Sequence, residues 1–562
     1  MSASIDRTQN LSLTDPGMAP VGDVVQRLEQ LNAIGASLSA ERDINRLLET
    51  ILTAAKSITR ADGGTLYRVA DDHTLRFEIM RTSSLKYYHG GTTGSPVPFY
   101  PIQLYRDGKP NHSMIAAYVA LTGKTVNIPD AYAAEGFDFS GTRAFDSKTG
   151  YRSKSFLTVP MRNHENEIIG VLQLINAHDP DTGEIVAFSP SDQRLTESLA
   201  SQAAIALTNR MLINQLEELF ESFINLINSA IDEKSPYTGG HCQRVPTLTM
   251  MLAEAATESK EGPLAQFEMS DRDRYELKIA GLLHDCGKVT TPVHVVDKAT
   301  KLETIFDRIH LIETRFEVLK RDAEIELLKT RAELAERSAP MVEREAAEAR
   351  YRDRVRQLNE DRSFLRACNI GVESMREDDA ERVRMIARYR WTDSAGYEAN
   401  FLTEDEVKNL TIRSGTLTAD ERQVINHHIV ATIRMLESLP WPRHLKNVPE
   451  YAGGHHERMD GKGYPKGLTR EQMSIQARVM GIADIFEALT AKDRPYKRGK
   501  TLSESLEILG RFKQSGHIDS DLFDVFVRKK VYQRYAEAFL DREQIDVVDE
   551  SRIPGYQPYP DA

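Results

Sequence analysis

The stretch GGHHERMDGKGYP, residues 453–465, is the most informative part of the 562-residue sequence. It places two neighbouring histidines and a glutamate, His455, His456 and Glu457, directly before a glycine-rich turn that ends at Pro465. Glycine permits a tight turn, and proline stiffens its exit. Such a turn has no specific meaning alone. Directly after HHE it indicates a loop that is held against a substrate phosphate or base.

Four other short strings carry side chains of the same kinds. They are YTGGHCQRV (237–245), LLHDCGK (282–288), INHHIV (425–430) and IADIFEALTAKDRPYK (482–497). The chain has only 15 histidines, and six of them lie in the five strings, with Asp285 and Asp484. Imidazole and carboxylate ligands without thiolate suit Fe, Mn, Ni, Co or Zn. The pattern therefore predicts a site for divalent cations.

The pair His284–Asp285 offers one imidazole nitrogen and a carboxylate whose two oxygens can bridge two cations. Two cations ~3.5–4 Å apart can hold a hydroxide and clamp a phosphate ester. Lys288 follows His284 by one helical turn, so on a helix it would share that face and neutralise charge on the phosphate. Neighbouring helical residues point ~100° apart, so His455 and His456 are expected to serve different positions.

Composition excludes several classes of protein. Apolar residues make up 40% of the chain and charged residues 28%, which is a globular balance. The formal charge of −12 disfavours binding to DNA or to an anionic membrane. The chain has three cysteines and no CxxC pair, and it has no apolar run of ~18 residues. We therefore expect a cytoplasmic protein without a membrane span, in which Cys242 and Cys286 are small packed residues rather than thiolate ligands.

Residues 21–208 are predicted to form an α+β domain. Helical spacing at the start is followed by strand-like segments at 64–69, 75–80, 154–162 and 168–177, and by a closing helix at 191–212. The strings SFLTVPMRNHENEIIGVLQLINAHDP (155–180) and FSPSDQRLTESLASQAAIALTNR (188–210) resemble the end of a GAF domain. The resemblance implies a sensor domain with an unidentified small-molecule ligand.

GAF domains that bind cyclic nucleotides carry the signature Asn-Lys…Phe-x3-Asp-Glu. Here Asn176, Phe188 and Asp192 match it, whereas Ala177 and Gln193 replace its two other charged members with neutral residues. The domain could sense a cyclic nucleotide, or Phe188 and Asp192 could simply fold the loop and cap the last helix. We favour the second interpretation.

Residues 209–232 are predicted to form a linker helix. Apolar residues recur there at alternating spacings of four and three, which is a heptad seam: Leu212, Leu216, Leu219, Phe223, Leu226 and Ala230. The seam favours a coiled-coil stalk and hence a homodimer. The alternative is an amphipathic helix packed on its own domain.

Three of the quoted strings contain motifs that follow one another along the chain: the HD pair, then HHE with GYP, then ADxxxAL…RPY. In that order they resemble the HD-GYP family, a subgroup of the HD metal-dependent phosphohydrolases, over about 231–302 and 417–527. The resemblance implies an all-α bundle over 233–554 that binds two or three metal ions. It implies hydrolysis of cyclic di-GMP to pGpG or GMP, while some members act on other 3′,3′-linked cyclic dinucleotides.

The resemblance also assigns roles to residues. The implied metal ligands are His241, His284, Asp285, His428, His455, His456 and Asp484. The implied catalytic residues are Lys288 and Asp285, and the implied substrate-binding residues are Tyr464, Arg494 and Lys497. His427 and His310 are alternatives to His428, which is preferred because LTADERQVINHH (417–428) aligns with the family up to that ligand.

Two departures from the family matter. Members with three metals carry a glutamate four residues before the first histidine, where this chain has Tyr237. We therefore expect two ions, with His456 the weaker ligand candidate. The stretch 303–416 is an insertion, which we predict to be a helical hairpin broken near Ser338–Pro340. Residues 1–20 and 555–562 are expected to be disordered.

The leading hypothesis is a signal-regulated phosphodiesterase in which a hydroxide that bridges two metal ions attacks phosphorus in line. One rival is a receptor that binds a cyclic dinucleotide without hydrolysing it. Another is an HD hydrolase of a different nucleotide, such as a dNTP or ppGpp.

Overall fold

A computed structural model describes residues 21–234, 240–260, 262–371, 374–492 and 499–556. The chain forms two compact units, Met1–Leu219 and Phe220–Ala562. The helices that begin in the first unit are α1 (Val21–Ala40), α2 (Ile44–Thr59), α3 (Ile115–Thr122), α4 (Ser140–Thr149) and α5 (Pro190–Lys234). Its strands are β1 (Ala61–Val69), β2 (Thr74–Thr82), β3 (Tyr87–Gly90), β4 (Ile102–Gln103), β5 (Tyr105–Arg106), β6 (Lys109–Pro110), β7 (Val126–Ile128), β8 (Phe156–Arg162), β9 (Ile168–His178) and β10 (Ile185–Val186).

An antiparallel sheet in the order β3-β2-β1-β9-β8-β7 forms the centre of the first unit. Successive strand residues point to opposite faces, so Leu66 packs with the core beneath α2 and α5, whereas Tyr67 packs with a second core beneath α3 and the long loops. Asp43 caps α2 by accepting a hydrogen bond from the Arg46 amide. The predicted α+β class of this part is confirmed.

The residues of the cyclic-nucleotide signature have structural contacts. The Asn176 side chain accepts hydrogen bonds from the amides of Lys154 and Ser155. Phe188 is buried in the core beneath α2 and α5. The Asp192 carboxylate accepts hydrogen bonds from the backbone and hydroxyl of Ser189 at the start of α5. These contacts favour the interpretation that the residues fold the loop and cap the helix.

The second unit is largely helical. Its helices are α6 (His241–Thr257), α7 (Asp271–Leu283), α8 (Val293–Val296), α9 (Ile309–Glu336), α10 (Met341–Asn369), α11 (Glu377–Ala387), α12 (Glu404–Leu410), α13 (Ala419–Glu437), α14 (Val448–Gly453), α15 (Ile475–Thr490), α16 (Leu502–Gln514), α17 (Ser520–Arg528) and α18 (Val531–Phe539). One hydrophobic core joins the C-terminal part of α5 with α6, α7 and α14–α18. This bundle positions the candidate site.

The insertion has a hydrophobic core of its own, built on Ile312, Phe316, Leu365 and Phe401. Helices α9 and α10 form the predicted hairpin, and the chain reverses at Arg337–Pro340, where Ser338 has a φ of 51°. The insertion also contains a small β-hairpin, β11 (Arg390–Thr392) and β12 (Glu398–Asn400), which the all-helical prediction missed.

The insertion leaves and re-enters the bundle at one place. The Thr416 hydroxyl donates to the Lys298 carbonyl at 2.9 Å. The Lys298 ammonium is buried and lies 2.8 Å from both carboxylate oxygens of Glu421 at the start of α13. The Lys301 amide donates to the Asn369 carbonyl at 2.8 Å. The two ends of the insertion are therefore tied to each other and to the helix that carries His428.

The predicted closing helix and the predicted linker helix overlap at residues 209–212, and in the structure they form one helix, α5, which continues to Lys234. One boundary differs from prediction. Tyr556, which the predicted tail included, packs in the bundle core. The predicted arm 1–20 and the tail residues 557–562 lie outside the described residues. No described helix combines the length and the hydropathy that a bilayer-spanning segment needs.

Candidate metal centre

Helices of the bundle bring the predicted ligands to one place. The positions are His241 at the start of α6, His284 and Asp285 directly after α7, His428 in α13, His455 and His456 just after α14, and Asp484 in α15. His456 and Asp484 are partly exposed, and the others are buried. Segments far apart in sequence therefore converge on one polar cluster inside an apolar bundle.

The cluster contains two groups that could each hold a cation. In one group the ligand atoms of His241, His284 and Asp285 lie within 4.8 Å of one another. In the other group the same holds for His428 and the pair His455–His456. We call these the His241 group and the His428 group.

The Asp285 carboxylate lies between the two groups. Its Oδ2 atom is 3.0 Å from His241 Nε2 and 3.2 Å from His284 Nε2. Its Oδ1 atom is 3.3 Å from His428 Nε2. Asp484 Oδ1 lies 3.4 Å from His241 Nε2 and adds a second carboxylate to the His241 group. Each Asp285 oxygen thus faces a different set of imidazoles, as a bridging carboxylate requires.

Three of the histidines are oriented by their own helices. The Nδ1 atoms of His284, His428 and His455 lie 2.6–2.7 Å from carbonyl oxygens three residues earlier in the chain. A carbonyl only accepts, so each Nδ1 carries the proton and each Nε2 presents its lone pair to the cluster. Neutral imidazoles held in this tautomer are suited to metal binding.

Burial and neighbouring charges set the protonation states. Burial and the proximity of His284 lower the pKa of His455 to about 4. Burial and the proximity of His455 hold the pKa of His456 well below its usual value. Burial would raise the pKa of Asp285, but Lys288 and His284 hold it well below its usual value. His455 and His456 are therefore neutral imidazoles at neutral pH, and Asp285 is an ionised carboxylate.

His241 differs from the other histidines. Burial opposes its charged form, but Glu487 and Asp285 outweigh that effect and raise the pKa of His241 to about 9. Lys288 Nζ lies 2.5 Å from Asp285 Oδ2. Burial opposes the Lys288 charge too, but Asp285 and Asp484 outweigh it and raise the pKa of the ammonium group. The His241 group thus attracts positive charge.

Two buried atoms of the cluster indicate whether metal ions would fit the site. Asp285 Oδ1 and His455 Nε2 are buried and make no hydrogen bond within the described residues. A buried polar atom without a partner costs ~1–3 kcal/mol. Both atoms belong to the groups described above, where a coordinated cation would satisfy them. The imidazole and carboxylate set therefore fits divalent ions such as Mn, Fe or Zn.

Glu457 holds the loop that follows the histidine pair. It is buried, and its two oxygens accept hydrogen bonds from the amides of Lys466 and Leu468 at 2.7 and 2.9 Å. A Cβ at Gly463 would lie 2.4 Å from the Arg458 amide nitrogen, so the close approach of the loop requires glycine there. The loop stacks the Tyr464 ring on His456, with centroids 4.9 Å apart.

A cavity of about 450 Å³ opens beside the cluster. His455, His456 and Asp484 of the cluster line it, together with apolar residues of α15. The remaining lining residues include three cationic side chains, Arg458, Lys462 and Lys500, together with Tyr464 and with His517, whose pKa burial lowers. In an acidic chain, this concentration of basic groups suits an anionic ligand.

Family models match in the same two parts of the chain. A GAF domain model matches residues 43–207. Two HD domain models match residues 238–370 and 404–522, and these ranges include the His241 and His428 groups.

The chain carries a GAF domain followed by an HD domain.

Three curated relatives match parts of the chain that differ in length. A 3′3′-cGAMP-specific phosphodiesterase 3 of Vibrio cholerae is 34% identical over 355 residues, which are 61% of this chain and 49% of that protein. A 3′3′-cGAMP-specific phosphodiesterase 1 of the same organism is 46% identical over 81 residues, which are 14% and 19%. A cyclic di-GMP phosphodiesterase of Pseudomonas aeruginosa is 36% identical over 116 residues, which are 21% and 27%. The chain thus spans half or less of the length of these relatives.

Within the HD domain, the structure brings His428 into the cluster and not its alternatives. His428 is 3% exposed and points inward, whereas the neighbouring His427 is exposed. His310 is exposed on α9, where it lies 3.3 Å from Glu313. Helical geometry explains the difference, because adjacent residues on α13 face different sides.

Two expectations about local geometry are wrong. His455 and His456 fall in one group, not in two, because α14 ends at Gly453 and the pair lies in a turn where its rings approach to 4.1 Å. Lys288 is not on a continuing α-helix, because α7 ends at Leu283 and residues 286–290 form a 3₁₀ helix. Lys288 reaches the cluster through that tighter turn.

Some candidates lie outside the described residues, namely Tyr237, Arg494 and Lys497. Other residues at the HD site were missed: Glu487, Arg458, Lys500 and His517. The sequence spacing could have identified Glu487, since it follows Asp484 by one turn of α15 and shares its face. Arg458 lies in the 453–465 string, two residues after His456. Lys500 and His517 approach the cavity from separate segments, and no periodicity connects them to it.

The two cysteines next to ligand candidates are buried thiols. Burial raises the pKa of Cys286 to about 11 and raises that of Cys242 as well. A thiol that holds its proton is a poor metal ligand, so both cysteines fit the role of small packed residues.

Proposed function

We propose that the chain is a metal-dependent phosphodiesterase of the HD-GYP type that hydrolyses cyclic di-GMP to pGpG or GMP under control of its GAF domain. The observation that carries this proposal is the position of Asp285, whose two oxygens face two groups of histidines. The named activities of the Vibrio and Pseudomonas relatives support a cyclic dinucleotide as substrate.

Different residues of the HD domain would bind the metal ions, the scissile phosphate and the rest of the substrate. His241, His284, His428, His455, His456, Asp285 and Asp484 would hold two divalent ions. When bound, two such ions supply an activated water and stabilise negative charge on a phosphate. Lys288 would add its positive charge beside the scissile phosphate, and Tyr464 would form the wall over His456. Basic residues of the cavity, with Arg494 and Lys497, would bind substrate phosphates.

Turnover by the full chain, loaded with Mn²⁺ or Fe²⁺ without oxygen, tests the proposal. We expect linear products from cyclic di-GMP, followed by chromatography, and loss of activity after chelation that added metal restores. His428→Ala is expected to lower turnover ~100-fold or more, since removing even an outer partner of a ligand costs ~10–100-fold.

His427→Ala is the matched control, because this exposed neighbour lies on the same helix, and its turnover is expected to stay within ~twofold of wild type. The panel includes 3′3′-cGAMP, dGTP and ppGpp. Hydrolysis of a mononucleotide in place of the cyclic dinucleotides would contradict the substrate assignment. Tight binding of cyclic di-GMP by the metal-loaded chain without turnover would support the receptor alternative.

We also propose that the chain is a homodimer through the seam of α5. Leu216, Phe223 and Leu226 are 64%, 56% and 64% exposed, although they repeat at heptad spacing. On the other side of the same helix, Ile224 is buried in the bundle core and Phe220 contacts Trp441. One face of α5 is thus occupied, and the seam face is available for a second copy.

The double variant Leu216→Lys/Leu226→Lys should convert the dimer into a monomer, because the two copies would then oppose like charges across an apolar seam. Analytical ultracentrifugation at micromolar concentration measures the change. Glu217→Lys/Glu218→Lys, on the same turn outside the seam, is the control and should remain dimeric. A wild-type chain that sediments as a monomer would rule out the proposal.

A further inference from the structure

His241 does not obtain its orientation in the way that the other histidines do. His284, His428 and His455 each donate from Nδ1 to a carbonyl three residues earlier. His241 is the first residue of α6, so no earlier turn of that helix can supply such a carbonyl. Another part of the fold must provide the acceptor for its Nδ1 proton.

Glu487 provides that acceptor. Its Oε2 atom lies 2.6 Å from His241 Nδ1, and its Oε1 atom accepts from Arg244 Nε at 2.7 Å. The side chain of Glu487 is only 1% exposed. Both carboxylate oxygens are therefore in use within a buried network, which fixes the His241 ring with Nε2 directed at Asp285.

The two metal groups consequently differ in the number of carboxylates around their histidines, and two cations, Lys288 and Arg244, pair with Asp285 and Glu487. Three carboxylates lie within 3.4 Å of His241, from Asp285, Asp484 and Glu487. The His428 group combines three imidazoles with the shared Asp285. An outer carboxylate makes an imidazole a stronger ligand, and its loss typically costs ~10–100-fold in metal affinity.

We propose that Glu487 is a positioning residue that orients His241 and makes the His241 group the tighter of two unequal metal positions. The inference rests on the proposed two-metal centre and adds an order of loading to it. The His241 group retains its ion when divalent metal is scarce, and the His428 group gains or loses its ion first. Occupancy of the His428 group would then decide whether the centre is complete.

Release of Mn²⁺ to increasing chelator tests the inference on the full chain, with bound metal counted by mass spectrometry and free Mn²⁺ by electron paramagnetic resonance. We expect two ions per wild-type chain, released in two separate steps. In Glu487→Gln, which keeps the side-chain size and removes the charge, the tighter step should move ~10–100-fold toward the weaker one.

Three further variants complete the design. Glu406→Gln is the matched control, because Glu406 is also a buried glutamate paired with an arginine, Arg315, but lies in the insertion. It should release both ions as wild type does. Glu487→Asp keeps the charge on a shorter side chain and should show a smaller shift than Glu487→Gln, so it decides the question if the glutamine variant does not fold. His456→Ala should abolish the weaker step alone.

The possible failures are distinguishable. A wild type that binds no metal under any loading condition would overturn the two-metal centre itself. A wild type with two ions whose release is the same in Glu487→Gln would leave the centre in place and overturn the role of Glu487. Loss of the tighter step in His456→Ala would reverse the assignment of the two positions and overturn the proposed order.

Discussion

Replacing Asp285 with asparagine is expected to lower bound metal from two ions per chain to fewer than one and turnover by ~10³-fold or more. Asparagine keeps one oxygen but puts an NH₂ group where the second oxygen stands, and NH₂ repels a cation. Because the two Asp285 oxygens face different histidine groups, one substitution damages both metal positions. Metal content of the folded protein and turnover of cyclic di-GMP measure the two effects.

Asp361→Asn is the control for this experiment. Asp361 is as buried as Asp285 and accepts hydrogen bonds from Tyr389 and Arg382, but it lies in the core of the insertion. This variant should lose some stability and keep both ions. Retention of two ions by Asp285→Asn would contradict the bridging role. Loss of both ions by Asp361→Asn would show that metal content reports general damage to the fold.

Replacing Gly287 with alanine is expected to have the second-largest effect. A Cβ at this position would lie 2.0 Å from the His428 carbonyl oxygen and 2.6 Å from the Thr432 amide nitrogen. Both atoms belong to the backbone of α13, so no side-chain rotation can relieve the overlap. The 3₁₀ turn that carries Asp285 must move away from the helix that carries His428.

The separation should lower stability by ~3 kcal/mol, near the upper end for overpacking. A displacement of ~1 Å between reacting groups should lower turnover ~10²-fold. Thermal unfolding without metal and turnover with saturating Mn²⁺ measure the two effects separately. Gly141→Ala is the control, because a Cβ there meets no atom within 4 Å and its stability should change by less than ~1 kcal/mol. Turnover near wild type in Gly287→Ala would mean that this close approach does not set the site geometry.

The sequence predicts correctly those features that depend on residue chemistry and on local periodicity. The apolar spacing of α2 and the break at Ser338 were sufficient to predict a helix and a hairpin. His284 and Asp285 are adjacent, so their joint role could be predicted without knowledge of the fold. The fold class and the two kinds of domain are confirmed for these reasons.

Features that depend on distant contacts could not be predicted. The carboxylate of Glu487 meets His241 only because α15 packs against α6, across 246 positions of sequence. His455 and His456 share one group because α14 ends before them, and helix ends are weakly marked in sequence. The strands β11 and β12 are three residues each and do not alternate apolar with polar side chains, so they carry no strand signal.

The joined ends of the insertion have a consequence for how this fold can vary. The chain departs after Lys298 and returns at Thr416, where the Thr416 hydroxyl donates a hydrogen bond to the Lys298 carbonyl. The entropic cost of closing a loop rises only with the logarithm of its length, and here a folded module replaces the loop. The gap between the LLHDCGK and INHHIV strings is therefore free to grow or shrink while their side chains keep the same distances. A search for such proteins that demands a set spacing between those strings would overlook chains built like this one.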